Sequence, residues 1–292
     1  MGRGPMSSVL YDVPGPRAQA RNKALGMLAA FGVIALTGFV AYRFWVTGQF
    51  EATKWEWLLY ENLQLRLLDA LGATLRAFVV GAVLALAFGL LFAVARLSEH
   101  AWLRSPAFAI VEFFRAIPLV IMIFFLYYAA PQAGLQLGVF WSLVVGLTLY
   151  NGSVLAEVFR AGVLSVPRGQ REAANALGLR PNQVMRAVLL PQAVRAMLPT
   201  IVSQLVVLLK DTALGFLITY QELLFEARYL GSLAEFERPI IPTALVVGAV
   251  YITLCIALSS LAGYLERRNG RRRRNGQLPT PDRRGVTAGL NA

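Results

Sequence analysis

Several ionisable side chains lie inside apolar stretches of this sequence, where a charge is costly unless protein or water surrounds it. Arg76 stands alone in one such stretch, and Lys210 and Asp211 are adjacent in another. These three residues are candidates to line a path for a polar solute. Four more occur as acid–base pairs three residues apart, Glu112 with Arg115 and Glu157 with Arg160, and Arg168 is an alternative partner for Glu157. That spacing brings two side chains together on one side of a helix, so we interpret both pairs as structural.

Arg76 has two interpretations. A guanidinium can bind a carboxylate through two hydrogen bonds, which suits the α-carboxylate of any amino acid and the side chain of an acidic one. Alternatively, it snorkels to the membrane interface or pairs with Asp69. Lys210 and Asp211 point about 100° apart on a helix, so at least one needs a partner elsewhere. They form either a structural pair across helices or part of a gate.

The elements that must position these charges are long apolar runs, in a chain of 292 residues with 57% hydrophobic and 15% charged residues. A helix needs about 20 apolar residues to cross roughly 30 Å of hydrocarbon. Six runs are long enough, at about 25–45, 70–95, 106–130, 139–160, 196–219 and 240–265. We therefore predict an all-α membrane protein with six transmembrane helices.

Basic residues predict the orientation of these helices, because Lys and Arg are retained on the cytoplasmic side of a membrane. They are concentrated in segments 1–24, 96–104, 160–195 and 266–292, so both termini are expected in the cytoplasm. The net charge of +12 and the cluster at 267–276 favour contact with anionic lipid rather than nucleic acid. The segment 269–292 is basic and rich in turn formers, so we expect a disordered tail.

Cysteine and histidine are too few for some kinds of site, and tryptophans mark the outer loop. The sequence has one cysteine, Cys255, and one histidine, His100, so neither a disulfide framework nor a Cys/His metal site is expected. Trp45, Trp55 and Trp57 follow the first apolar run. We expect them to anchor this segment at the membrane interface or to pack against a partner.

The cytoplasmic stretch 167–191 has the signals of two short helices. Pro167 is well placed to begin the first, Gly178 to end it, and Pro181 to begin the second. On the first helix, one face is apolar and another polar: Ala173, Ala176 and Leu177 against Arg168, Glu172 and Asn175. Neither helix is long enough to be stable alone, so we interpret the bent pair as a docking element.

These residues resemble a known family. Glu172-Ala173-Ala174, Gly178, Val188 and Leu190-Pro191 match the spacing of the "EAA" signature of bacterial ABC-importer permeases, with valine at the usual isoleucine. The segments "VEFFRAIPLVIMIFF" and "LLKDTALGFLI" are similar to the polar-amino-acid branch of that family. The resemblance covers about 67–268, with the coupling loop at 160–195, and leaves out the cytoplasmic segment 1–24 and an extra helix and outer loop at 25–66.

The resemblance implies a fold and a set of partners. It implies a five-helix type I permease core, here with one extra N-terminal helix, in a bacterial plasma membrane. A separate ATPase dimer binds ATP and Mg, a second permease subunit completes the path, and an extracytoplasmic amino-acid-binding protein delivers the substrate. No phosphate-binding loop occurs in this sequence, so no catalytic residue is predicted. The ATPase-coupling residues are predicted to be Glu172, Ala173, Ala174, Gly178, Leu190 and Pro191.

The substrate hypothesis rests on charge. Arg76 and Lys210 would repel a cationic amino acid, so glutamate is the first candidate and glutamine the second, with basic or histidine-like substrates as alternatives. A self-contained channel or secondary transporter and a membrane scaffold are the other classes considered. A secondary transporter is expected to show internal repeats, which we do not find here. A scaffold explains the loop but not the charges inside the helices.

Overall fold

The computed structural model describes residues 15–274, and the regular elements in that range are helices. They are α1 (Pro16–Val46), α2 (Glu61–Arg96), α3 (Ala101–Ala116), α4 (Leu119–Ala133), α5 (Gly138–Leu164), α6 (Arg168–Ala176), α7 (Pro181–Ile218), α8 (Leu223–Gly231) and α9 (Ile240–Arg274). Five of them are long and apolar enough to cross a membrane, and the bent pair α3–α4 gives a sixth span if it is counted as one. The predicted all-α class is confirmed.

Two predicted spans differ from the helices that form. The run at 106–130 is divided between α3 and α4, which meet at an angle of 97°. Pro118 causes this break, because a proline disfavours helical backbone in the residue before it, and Ile117 is extended with ψ 127°. The run at 196–219 belongs to α7, which already begins at Pro181. The second short helix of the cytoplasmic loop is therefore continuous with a span.

A widened turn lies where α7 leaves that loop. Pro191 has no backbone N–H, so it cannot donate the helical hydrogen bond to the fourth residue before it. The preceding residues Val184–Leu189 take π-helical geometry, and the Leu190 N–H bonds to the carbonyl of Met185.

Helix α5 is the centre of the bundle and packs against α2, α3, α4 and α7. Its contact with α2 is close because both helices place a glycine there. A Cβ atom on Gly89 would lie 2.8 Å from the Cβ of Leu155 and 3.0 Å from the carbonyl oxygen of Gly152. Small residues allow helix backbones to approach in this way where lipid supplies little hydrophobic driving force. We therefore treat α2 and α5 as one rigid unit.

The N-terminal segment is attached through its loop rather than through its helix. No residue of α1 is buried. The following loop folds back onto the bundle, where Trp57 is completely buried and packs against Leu230 and Phe236. Lys54 Nζ lies 3.3 Å from Glu237 Oε2 and strengthens the same contact. Trp57 is thus a core residue and not an interfacial anchor, because it faces α8.

At the other terminus, α9 remains helical to Arg274, so the predicted disordered tail does not begin at 269. Six of the eight residues from 267 to 274 are arginines, which favour helix, although Asn269 and Gly270 interrupt them. The rest of that tail, and the first part of the predicted segment 1–24, lie outside the described residues.

The bundle has two ends, which we call the α6 end and the α8 end after the short helices there.

Candidate functional site

The chain bends sharply between α6 and α7. Gly178 has a φ of +73°, in the left-handed region that glycine adopts without strain. The Leu179 N–H bonds back to the carbonyl of Ala174 at 3.3 Å and closes the end of α6. The Arg180 N–H donates to the side chain of Gln183, which holds the first turn of α7. The predicted bend is present, and Gly178 lies at its turning point.

Helix α6 has three faces with different surroundings. Its inner face is Ala174, which is 4% exposed and packs against Val184 and Leu189. Its polar face lines a cleft of about 460 Å³ together with Val163 and Leu164; the polar residues are Arg168, Arg171, Glu172 and Asn175. Its third face is apolar and open, and Leu177 there is 82% exposed. Ala174 therefore supports the helix from inside and cannot itself belong to a docking surface.

The two predicted acid–base pairs form. Arg115 Nη1 lies 3.1 Å from Glu112 Oε1, and Arg160 binds Glu157 through two hydrogen bonds of 2.6 and 3.0 Å. Glu157 does not use Arg168, the alternative partner. Both pairs lie near the α6 end, and Arg115 and Glu157 line a cleft of about 360 Å³ between α5 and α7.

Arg96 joins these pairs and was missed from the sequence. It is the last residue of α2, and its Nη1 lies 3.1 Å from Glu157 Oε2 and 3.6 Å from Glu112 Oε1. In the sequence Arg96 begins a basic loop, and that loop indicated only how the helices are oriented in the membrane. A basic residue in the last turn of a helix is a common feature, so this signal could not have identified its partners.

Arg76 lies at the α8 end. Its guanidinium carbon is 4.3 Å from the centre of the Phe140 ring, and the side chain lines a cleft of about 440 Å³. Asp69 lines the same cleft but makes no ion pair with Arg76 in the described structure. A second arginine of the cleft, Arg66, is already bound to Glu226 through two nitrogens at 2.8 and 3.3 Å. Arg76 is therefore the guanidinium that remains available.

Lys210 and Asp211 are held in different ways. Asp211 accepts a hydrogen bond of 3.3 Å from the side chain of Asn151 on α5, whose Oδ1 accepts one of 2.7 Å from Gln204 Nε2. Lys210 is exposed, has no ion-pair partner among the described residues, and borders an apolar cleft with Tyr251 and Cys255. Asp211 is thus hydrogen-bonded within the chain, whereas Lys210 has no ion pair in the described structure. Arg76 and Lys210 line separate clefts, so one subunit does not bring them together.

One buried acid at the α8 end has a structural role that the sequence did not indicate. Glu222 is completely buried and caps the start of α8 by accepting from the backbone N–H groups of Leu224 and Phe225. It also accepts a hydrogen bond of 2.7 Å from the Tyr251 hydroxyl. Among the described residues, no three His, Cys, Asp or Glu side chains cluster as a metal site requires.

The fold and these sites define a class: a multi-pass helical membrane protein with charged clefts at both ends and an exposed amphipathic helix at one. The chain belongs to the family described as binding-protein-dependent transport system inner membrane component, which matches residues 67–271. It is therefore a translocation subunit of the inner membrane. Residues before 67, including α1 and the loop that carries Trp57, lie outside this match.

Proteins similar to this chain include amino-acid permeases. It is 40% identical over 242 residues to the glutamate transport system permease protein GluD of Corynebacterium glutamicum, covering 80% of this chain and 87% of that protein. It is 35% identical to the glutamate/aspartate import permease protein GltK of Escherichia coli, covering 69% and 92%. Among solved structures, an amino acid ABC transporter with histidines matches with a TM-score of 0.66 and 26% identity, covering 73% of this chain and 98% of that one.

Proposed function

We propose that this chain is the permease subunit of an ATP-driven glutamate importer, with glutamine as the second candidate. The main support for glutamate as the substrate is the 40% identity to a glutamate permease. Arg76 and Lys210 support it, because both are cationic groups without an ion-pair partner in the described structure and both lie toward the α8 end. A permease named for arginine is 31% identical over 208 residues, which keeps a cationic substrate as the alternative.

The geometry of Arg76 suits an anionic substrate. Its guanidinium carbon lies over the Phe140 ring at 4.3 Å, and none of the ion pairs of the described structure uses the N–H edge of this guanidinium. A carboxylate binds at that edge through two parallel hydrogen bonds.

Uptake by the reconstituted complex tests this assignment. Vesicles with the permease, its ATPase and the binding protein would be given radiolabelled glutamate, glutamine, arginine and histidine in turn. We expect ATP-dependent accumulation of glutamate ahead of the other three. A preference for arginine would contradict the substrate, and accumulation without the ATPase would contradict the transport class.

We place ATPase docking on the open apolar face of α6. In a soluble setting an amphipathic helix turns its apolar side inward, but here Ala173, Ala176 and Leu177 face outward and the polar side lines a cleft of the chain itself. This inversion indicates that another protein covers the apolar face. The same loop also exposes four arginines, so we expect acidic groups on the partner beside an apolar groove; they are Arg168, Arg171, Arg180 and Arg186.

Leu177 is the side chain on which this docking depends most. Complete burial of a leucine contributes about 1.5–3 kcal/mol, which corresponds to roughly 10- to 150-fold in affinity. We expect Leu177→Asp to reduce co-purification of the ATPase at least tenfold while the permease still inserts in the membrane. The matched control is Leu59→Asp, because Leu59 is 81% exposed at the opposite end. Equal co-purification in both variants would contradict this surface.

The remaining assignments follow from the same proposal. The α6 end faces the cytoplasm, where the ATPase dimer binds ATP and Mg, and the binding protein delivers its amino acid at the α8 end. A second permease subunit lies beside this one. Closure of the ATPase dimer would then move α6 and the ends of α5 and α7, to which α6 is joined on either side.

A further inference from the structure

Arg96 is enclosed at the α6 end by residues of two other helices. Its side chain is 7% exposed, and Nη1 lies within ion-pair distance of Glu157 on α5 and Glu112 on α3. The same nitrogen makes no well-aligned hydrogen bond in the described structure, so the two carboxylates share it electrostatically. The guanidinium carbon also lies 5.1 Å from the centre of the Phe108 ring on α3. One side chain thus connects three helices.

Helix α3 packs against α2 and α5 with little buried surface, and one ring contact, Phe114 with Phe88, also joins it to α2. Of its 16 residues, Ala107 and Val111 are buried, whereas Trp102, Phe108 and Phe113 are exposed. Its far end meets α4 at the bend before Pro118. A helix with so little buried surface depends on its polar contacts for its position. The contacts of Arg96 with Glu112 and Phe108 are therefore the main candidates to hold α3 against the bundle.

The two helices that Arg96 joins to α3 form a rigid unit. Helices α2 and α5 are packed closely at Gly89 and Gly152. Helix α5 ends at Leu164, and α6 begins at Arg168 after three intervening residues. Glu157 is about two helical turns before the end of α5. A displacement of α6 therefore reaches Glu157 through a short length of helix.

We propose that Arg96 is a positioning residue for transport, which clamps α3 onto the α2–α5 unit so that movement of α6 reaches the bend between α3 and α4. This inference rests on the proposed function and assigns a role to a residue outside the docking surface. A buried charge is stable only while its partners stay close, so the three helix ends are constrained to move together.

Arg96→Gln in the complete reconstituted complex tests the clamp. We expect the ATPase to co-purify normally and to hydrolyse ATP, while the glutamate taken up per ATP falls at least tenfold. This ratio does not change if a variant only lowers the amount of folded complex. The control is Arg160→Gln, because Arg160 pairs with Glu157 of its own helix and makes no ion pair with α3. We expect its ratio to stay within twofold of the wild type.

An unchanged ratio in Arg96→Gln would overturn the proposal. If that variant does not fold, Glu112→Gln removes the α3 side of the clamp from a more exposed position. It is expected to lower uptake per ATP in the same direction, and a wild-type ratio would again overturn the clamp. Failure of the wild-type complex to take up any amino acid with ATP would contradict the proposed function instead.

Discussion

At the scale of single residues, Lys210 and Asp211 are adjacent in the sequence but have different surroundings. Asp211 completes a polar chain with Asn151 and Gln204 inside the subunit. Lys210, one residue earlier, points away from that chain and has no ion-pair partner among the described residues. An exposed ammonium without an ion-pair partner is costly in an apolar setting, so in the proposed function a substrate or the second subunit neutralises it.

Reversal of the Lys210 charge tests whether the substrate or the second subunit neutralises it. We expect Lys210→Glu to lower glutamate uptake about tenfold or more, because the new carboxylate would repel an anionic substrate. Uptake of radiolabelled arginine by the same vesicles should fall less. Cys255→Ala is the matched control, since Cys255 lines the same cleft without a charge. Unchanged glutamate uptake in Lys210→Glu, with the complex assembled, would show that Lys210 does not contact the substrate.

At the scale of elements, the contact between α2 and α5 determines how the charged ends are arranged. The closest approach is at Gly89, and Arg96 follows two turns later on α2. A side chain at Gly89 would push α5 outward and with it Glu157. The ion pairs at the α6 end therefore depend on a packing contact about two turns away along α2.

We expect Gly89→Val to destabilise the subunit by about 1–3 kcal/mol through overpacking. Its Cβ would have to displace the Cβ of Leu155 or the backbone of Gly152. The control is Gly72→Ala on the same helix, where no atom lies within 4 Å of the added Cβ. The measurement is the thermal unfolding midpoint of the detergent-purified protein. A midpoint for Gly89→Val as high as that of Gly72→Ala would contradict the close packing of α2 and α5.

At the scale of the whole molecule, the bent pair α3–α4 determines the topology. If the pair crosses the membrane once, the loop at Gly134 and the α8 end lie on one side, and α6 lies on the other. If the pair is re-entrant, both of its ends return to the same side. The proposed orientation requires the first arrangement, with α6 in the cytoplasm.

Reporter fusions in Escherichia coli distinguish these arrangements. We expect alkaline phosphatase inserted at Gly134 to be active, because that enzyme matures outside the cytoplasm, and green fluorescent protein fused after Ala292 to fluoresce. An inactive phosphatase at Gly134 together with a fluorescent C-terminal fusion would show that α3–α4 does not cross. The proposed orientation would then be wrong.

The sequence alone determined five of the apolar spans and the bend at Gly178, and the break at Pro118 within the sixth has an equally local cause. These features are local, because a segment in lipid must satisfy its own backbone hydrogen bonds, and because glycine and proline act through their own backbone geometry. The pairs Glu112–Arg115 and Glu157–Arg160 were predictable for the same reason, since helical spacing is contained in the order of the residues. The motif at 172–191 was local as well, and it indicated the family.

Only the tertiary structure decided which groups meet across the chain. Asn151 and Asp211 are 60 positions apart, and Arg66 and Glu226 are 160 apart. It also placed Ala174 inside and Leu177 outside, buried Trp57 against α8, and brought Arg96 between Glu112 and Glu157. The physical reason is that helix packing sets the rotation and depth of each helix, and periodicity within one helix contains no information about its neighbours.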